Sequence, residues 1–285
     1  MIGTALSAAL RAGGHEVIGL SRNPGPGDVR WNPALGELDF ALLEGVDAVV
    51  HLAGASIAGG RWTEKRKQLI RDSRVAITSW LAESLARLDR KPAVLVSASA
   101  VGIYGNRGDE LLDENSAPGS DFLAQLVVDW EQAADAARQE GIRVVHPRFG
   151  IVLSSQGGAL AKMLPPFRLG LGGPIGGGEQ WMSWITLGDV IGGIDHALAD
   201  ESLSGPVNFT TPNPVRNKDF VQALGGAVHR PAVIPLPAFA LRLAFGEMAD
   251  ATLLASQRVM PVKLTASGYV TRHPEIGAAI AAALK

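Results

Sequence analysis

Ser21 and Arg22 close an apolar run, HEVIGLSR (15–22), and are the first side chains whose types point to a particular ligand. In a dinucleotide-binding unit an acidic residue at the end of the second strand accepts hydrogen bonds from the ribose hydroxyls of NAD. An arginine there instead accommodates the 2′-phosphate of NADP. Outside that context, Arg22 is a solvated loop arginine. A second group lies in SASAVGIYG (97–105), where Ser97, Ser99 and Tyr104 supply three hydroxyls. A serine at a strand end can equally satisfy a nearby backbone group. Tyr104 and Tyr269 are the only two tyrosines of the chain. There is no cysteine, which excludes disulfides, zinc–thiolate sites, iron–sulfur clusters and cysteine nucleophiles together. The six histidines show no i, i+3 or i, i+4 pairing, so no metal site is supported. GLGGPIGGG (170–178) is not followed by Gly-Lys-Ser/Thr, and is expected to shape a substrate mouth rather than to cradle a phosphate.

The elements that would position these groups alternate. TALSAALRA (4–12) reads as a helix ended by Gly13-Gly14, followed by strands at 15–22 and 46–52. A long helical pattern runs from Trp62 to about Leu88, with Leu69, Val75, Ile77, Leu81 and Leu85 on its buried side. Strands at 92–97 and 143–154 enclose a helix at 121–139. A helix through about Leu198, a strand at 206–210 and a helix at 217–224 follow. Short apolar strands alternating with helices indicate a doubly wound parallel α/β sheet. The tail from Pro235 carries two or three short helices. The expected division is an α/β domain over 1–211 and a small α+β cap over 212–285.

Composition narrows the function classes. With 285 residues the chain is one large domain, or one plus an appendage. A formal charge of −2 without a long basic run excludes an electrostatic nucleic-acid binder. No apolar stretch approaches the ~20 residues of a membrane helix. The start lacks the basic region and apolar core of a signal peptide, so a soluble cytoplasmic protein is the default expectation.

The chain opens MIGTAL, where a dinucleotide fold passes from its glycine-rich turn into its first helix. Only Gly3 of the expected glycines is present. The first strand of such a fold lies mid-sheet, and without it neighbouring strands keep unpaired backbone groups. The expectation is a start about ten residues upstream of Met1, the length of one strand and turn. The alternative is a fold that begins with a helix.

Several segments together carry a family resemblance: IGTAL…GHEVIGLSR, HLAGASI, RWTEKRKQLIRDSRV, SASAVGIYG, DFLAQLVVDWE, PPFRLGLGGPIGGGEQWMSWITLGDV and the IPLP and GY segments near the end. In order and over almost the whole chain they resemble an extended short-chain dehydrogenase/reductase. More specifically, they resemble the atypical branch described as epimerase family proteins, with a C-terminal domain of unknown function. The resemblance implies a Rossmann-like fold and an NADP(H) cofactor contacted from Gly3, Ser21, Arg22, Leu52, Ala53, Gly54, Arg74, Ser97 and Ile151. It implies that Ser99 hydrogen-bonds the reacting oxygen, with Tyr104 or water as proton donor. Ile151 stands where many members have Asn, and Arg148 is expected to pair with a nearby carboxylate, the alternative being that it reaches an acidic substrate.

One departure is decisive. The family at large uses Tyr-x-x-x-Lys on the helix that here reads DFLAQLVVDWE. Anchoring on Glu131 puts Leu123 and Val127 at those positions, and no lysine occurs between Lys91 and Lys162. A positioned acid–base contributes ~10²–10⁴-fold, so standard reductase or epimerase chemistry is not licensed. Two expectations remain: an NADP(H)-binding oxidoreductase or epimerase-family protein acting on an unidentified small molecule, or a catalytically inactive NADP(H) sensor or interaction protein. Nucleotide-sugar epimerisation lacks its tyrosine base. Dimerisation through the long helices is a family expectation.

Overall fold

A computed structural model describes residues 1–25, 27–32, 38 and 40–285. Helix α1 (Ile2–Ala12) leads into β1 (Leu20–Ser21), β2 (Val29–Arg30) and β3 (Ala48–His51). Next come α2 (Glu64–Asp72), α3 (Val75–Ala86), β4 (Val94–Ser97), β5 (Ser99–Ala100) and β6 (Leu111–Leu112). The chain continues through α4 (Phe122–Gln132), α5 (Asp135–Gln139), β7 (Arg143–Phe149), β8 (Ile151–Leu153) and α6 (Gly158–Arg168). Beyond these lie β9 (Trp181–Met182), β10 (Trp184–Thr186), α7 (Leu187–Ala199), β11 (Gly205–Phe209), β12 (Val215–Arg216) and α8 (Asn217–Ala227). The tail holds α9 (Ala238–Phe245), β13 (Arg258–Val259), α10 (Val262–Ala266) and α11 (Ile276–Ala283).

The central sheet runs β11–β7–β4–β3 with every pair parallel, and β5 continues the line of β4 along β7. Its strands are apolar on both faces because both faces are covered. Val94, Val96, Val145, Val207 and Phe209 pack with Leu6 of α1 and Val190 and Ile194 of α7. Leu95 and Val144 alternate to the other face, against Leu81 and Leu85 of α3 and Ala137 of α5. The expected doubly wound arrangement is therefore present.

Four local expectations change. Among the described residues, β1 pairs only with β2 and β3 pairs only with β4. Residues 15–19 form no strand, Gly19 contributing only its carbonyl to the Val29 N–H at 2.7 Å, so the expected strand at 15–22 shortens to Leu20–Ser21. The long helix at 62–88 is two helices, broken at Ser73–Arg74, whose side chains turn to the loop after β3. The strand at 143–154 divides at Gly150, where a Cβ would stand 2.6 Å from the Ser183 carbonyl oxygen. The helix at 121–139 divides into α4 and α5. Helix α6, with Pro165 and Pro166 inside it, is an element that the sequence pattern did not reveal.

The C-terminal region is stitched to the α/β body on both sides of the expected 211/212 division. Strand β12 pairs antiparallel with β9, and β13 pairs parallel with β6. Buried Asp189 is one clamp: Thr186 Oγ1 donates to its Oδ2 at 2.7 Å and the Arg272 backbone N–H to its Oδ1 at 2.7 Å. The Tyr269 hydroxyl donates to the Asp189 carbonyl at 2.9 Å. No helix among the described residues is long and apolar enough to cross a membrane.

Candidate functional site

Three segments converge beyond the carboxyl end of β3, where ligands of open parallel sheets bind. The first turn of α1 approaches Leu52: a Cβ on Gly3 would lie 3.9 Å from Leu52 Cδ1. The Met1 side chain reaches the start of α6, with its Sδ 3.2 Å from the position of a Cβ on Gly157. The N-cap of helix α1, Met1, makes no side-chain cap bond among the described residues, and a helix start carries unpaired N–H groups and a positive dipole end. Arg22 is exposed at the end of β1, and Ser21 Oγ accepts from the Asn23 N–H at 3.2 Å in the turn that presents it.

The loop Leu52–Ala53–Gly54–Ala55 is fixed by the break between α2 and α3. Ser73 Oγ accepts from the Ala55 N–H at 3.0 Å, and Arg74 Nη1 donates to the Ala55 carbonyl at 3.0 Å. The same nitrogen bonds the Ile70 carbonyl at 3.2 Å, and the guanidinium lies over the Trp130 ring, 5.1 Å from its centroid. Burial, with a smaller contribution from Arg66, pushes the Arg74 pKa down to about 10. Gly54 has room only for hydrogen on that side, since a Cβ would come within 3.2 Å of Arg74 Cζ. Arg74 thus shapes the loop where the sequence placed a cofactor contact.

Ser99 and Tyr104 belong to a buried polar network. The Ser99 hydroxyl donates to Glu131 Oε1 at 2.6 Å, and Arg148 holds Glu131 through Nε and Nη2, each at 2.8 Å. Tyr104 is 0% exposed; its hydroxyl accepts from Arg148 Nη1 at 3.0 Å and donates to Asn208 Oδ1 at 2.8 Å. Burial raises the Tyr104 pKa, so the phenol keeps its proton. Burial opposes ionisation of Glu131, but the Arg148 hydrogen bond and charge outweigh it and hold the carboxyl below its usual range. Charge-assisted, bidentate bonding of this kind satisfies the groups internally. The network therefore satisfies the hydroxyls of Ser99 and Tyr104 within the protein, where the two residues are buried. Ser97 is also fully buried, and its Oγ has no partner among the described residues. The expected ion pair of Arg148 is the one with Glu131.

Between the body and the C-terminal region lies a cavity of about 530 Å³, lined among others by Asn106, Asp109, Glu179, Arg216, Arg242 and Ser256. The glycine-dense loop enters its wall through Ile175, Gly176 and Gly177. An adjoining cavity of about 470 Å³ lies between Gly105–Arg107 and Pro118–Asp121. Trp181 stands beside the first, with the Arg216 and Arg258 guanidiniums 4.3 and 4.4 Å from its ring centroid. Trp184 is fully buried and fills the core. No cluster of metal-ligating side chains occurs among the described residues.

Residues 1–208 match the NAD-dependent epimerase/dehydratase family, and residues 236–283 match a domain of unknown function, DUF1731. The chain belongs to the NAD-dependent epimerase/dehydratase family. It is 48% identical over 282 residues to an epimerase family protein of Mycobacterium bovis, covering 98% of this chain and 93% of that protein. Human epimerase family protein SDR39U1 is 41% identical, with 98% and 94% covered. The crystal structure of the human protein, determined with NADPH, superposes with a TM-score of 0.91 over 99% of this chain and 95% of that one. UDP-glucuronic acid 4-epimerase of Bacillus cereus, 18% identical with a TM-score of 0.78, shares the fold.

Against the epimerase/dehydratase pattern, α4 is altered throughout the expected tyrosine–lysine face. Leu123 packs with Ile70 and Leu126, while Val127 packs with Ile103 and Val259. Both positions are apolar core, so the helix carries no proton donor there. Ile151 is half-buried in β8, and its N–H donates to the Ser183 carbonyl at 2.8 Å. The sequence reading missed Glu131 and Asn208 as the partners of Ser99 and Tyr104, because they are 32 and 104 residues away along the chain. It also missed Trp62, Arg66 and Lys162, which hold the loop after β3; Gly59-Gly60 inside that loop was the available signal.

Proposed function

We propose that this chain is an NADP(H)-binding oxidoreductase of the epimerase/dehydratase family, acting on a small molecule held between the α/β body and the C-terminal region. The observation that carries the cofactor half is the exposed Arg22 at the end of β1, which has no carboxylate within ion-pair distance among the described residues. A guanidinium in that position matches a 2′-phosphate rather than a ribose hydroxyl pair. The likeness to a human protein crystallised with NADPH supports the same reading.

The residues present fit the group. The uncapped end of α1 offers N–H donors and a positive dipole end to a diphosphate. Gly54 leaves the loop after β3 without a side chain at the passage, and Arg74 with Ser73 holds that loop in place. When bound, NADP(H) supplies hydride transfer. The chain's own contribution is orientation and exclusion of water. Because Leu123 and Val127 occupy the tyrosine and lysine positions, proton movement falls to water or to a group of the substrate. The Arg216–Asp109 and Arg242–Asp250 pairs give the 530 Å³ cavity edges carrying charges of both signs for a polar substrate.

Thermal unfolding with NADPH and with NADH, followed by the optical change of the nicotinamide over a panel of aldehydes and ketones, tests this. A larger stabilisation by NADPH together with turnover of at least one carbonyl supports the proposal. Selective NADPH binding with no turnover over the panel favours a sensor or interaction protein. No shift with either cofactor removes the cofactor assignment.

A further inference from the structure

The carbonyls of the loop after β3 are held one after another by side chains. Arg74 Nη1 bonds the Ala55 carbonyl at 3.0 Å, Arg66 Nη2 bonds that of Ser56, Trp62 Nε1 bonds that of Ile57 at 2.9 Å, and Lys162 Nζ bonds that of Ala58 at 3.3 Å. Three of these four donors are cations. Among the described residues none of the three has a carboxylate partner, although other cations of α2 do. Lys67 pairs with Glu247 and Arg71 with Asp129, each at 2.6 Å. Burial, and after it the nearby Arg66 charge, depress the Arg74 pKa, and Arg66 Nε is buried without a partner among the described residues.

Uncompensated positive charge gathered on one loop costs free energy through mutual repulsion unless an anion joins it. The carbonyl bonds leave most of the donors unused, since a guanidinium has five N–H groups and an ammonium three. They also hold the cations in fixed positions. Glycines clear the approach: a Cβ on Gly54 would crowd Arg74, and one on Gly59 would overlap Arg66. The loop begins at Leu52, against the uncapped end of α1. Planar forks and a point charge around a glycine-rich loop match a multiply charged oxyanion.

We propose that Arg66, Arg74 and Lys162 form a phosphate-binding collar on the loop after β3, opposite the N-terminus of α1. This rests on the dinucleotide reading for its location, and the phosphate comes either from the dinucleotide's diphosphate or from a phosphorylated substrate. Lys162 is the member supplied from α6, so the collar links that helix to the loop when the anion is bound.

The test uses the full chain, with Arg66→Gln, Lys162→Met, the double variant and Lys162→Arg. Their binding of NADPH, inorganic pyrophosphate and adenosine 2′-monophosphate is measured by titration calorimetry at low and moderate salt. The expected result is NADPH affinity lowered about tenfold or more in the double variant, with a weaker salt dependence. Adenosine 2′-monophosphate, which lacks the diphosphate, binds unchanged, and Lys162→Arg keeps affinity. Unchanged NADPH affinity with pyrophosphate binding lost in the double variant upholds the collar and assigns it to a substrate phosphate. Unchanged affinity for both NADPH and pyrophosphate in the double variant overturns the collar. So does a wild-type chain that binds no pyrophosphate and loses no NADPH affinity on substitution. A wild-type chain that binds pyrophosphate but neither nucleotide sinks the cofactor reading and leaves the collar standing.

Discussion

Arg148 on β7 grips Glu131 on α4 through two parallel hydrogen bonds, Nε to Oε1 and Nη2 to Oε2, each 2.8 Å long. Both side chains are nearly inaccessible, at 7% and 14% exposure. Removing one partner of a buried pair strands the other charge, at a cost of about 3–5 kcal/mol. Arg148→Met and Glu131→Leu should therefore each lower the unfolding midpoint by about 10 °C, at roughly 2–4 °C per kcal/mol for a chain of this size. The double variant Arg148→Met/Glu131→Leu should recover part of that loss. Calorimetry on the four proteins checks the coupling, and purely additive losses would contradict it.

Ser99 and Tyr104 lie on that same pair, which separates their structural occupation from a catalytic one. Tyr104→Phe leaves Asn208 Oδ1 and an Arg148 N–H without their partner, and should cost about 1–3 kcal/mol. Ser99→Ala removes one donor from Glu131 and should cost about 1–3 kcal/mol. In both, turnover of any accepted substrate should stay within about tenfold of wild type. A loss of ~10²–10⁴-fold with an unchanged unfolding midpoint would instead identify the hydroxyl as the proton carrier.

His51, at the end of β3, is buried against Trp31 with no partner for its Nε2 among the described residues, and burial pushes its pKa down to about 4. The unfolded chain takes up the proton near pH 6.5 and the folded chain only near pH 4. Neutral His51 therefore contributes its full stabilising share above pH 6.5, and that share is lost as pH falls from 6.5 towards 4. At the lower end the loss is about 3 kcal/mol. Denaturant titrations of wild type and His51→Phe across this range should diverge, with wild type falling more steeply. Parallel curves would rule the effect out.

Gly150 separates β7 from β8, and a methyl group there would meet the Ser183 carbonyl oxygen at 2.6 Å. Because the obstacle is backbone, relief requires moving β10. Gly150→Ala should destabilise by about 1–3 kcal/mol, measured as a lower denaturation midpoint with an unchanged slope. An unaffected midpoint would show that the strands yield freely at this point.

The alternation of helix and strand was legible because β4, β7 and β11 are covered on both faces and read as apolar runs. The position of Arg22, exposed just after β1, was legible for a similar local reason, since the sequence displays the strand order. The break at Ser73–Arg74 was not, since what ends α2 is a pair of bonds to Ala55, 18 and 19 residues earlier. Helix α6 was hidden by Pro165–Pro166, which argue against a helix locally because each removes an N–H from its later turns. Strand 15–22 shortened because strand length depends on a neighbour's edge, not on its own residues. Ser99 and Tyr104 carried the right residue types beside a strand end, but only the folded chain shows Glu131, Arg148 and Asn208 occupying their hydroxyls.

The central claim is that the chain takes NADP(H) and selects it through Arg22. Titration calorimetry of NADPH and NADH against wild type and Arg22→Ala tests it most directly. The account predicts that wild type binds NADPH at least about tenfold more tightly than NADH, a difference of roughly 1.4 kcal/mol, and that Arg22→Ala abolishes the preference by weakening NADPH alone. Equal affinities in wild type, or a preference that survives in Arg22→Ala, would contradict it.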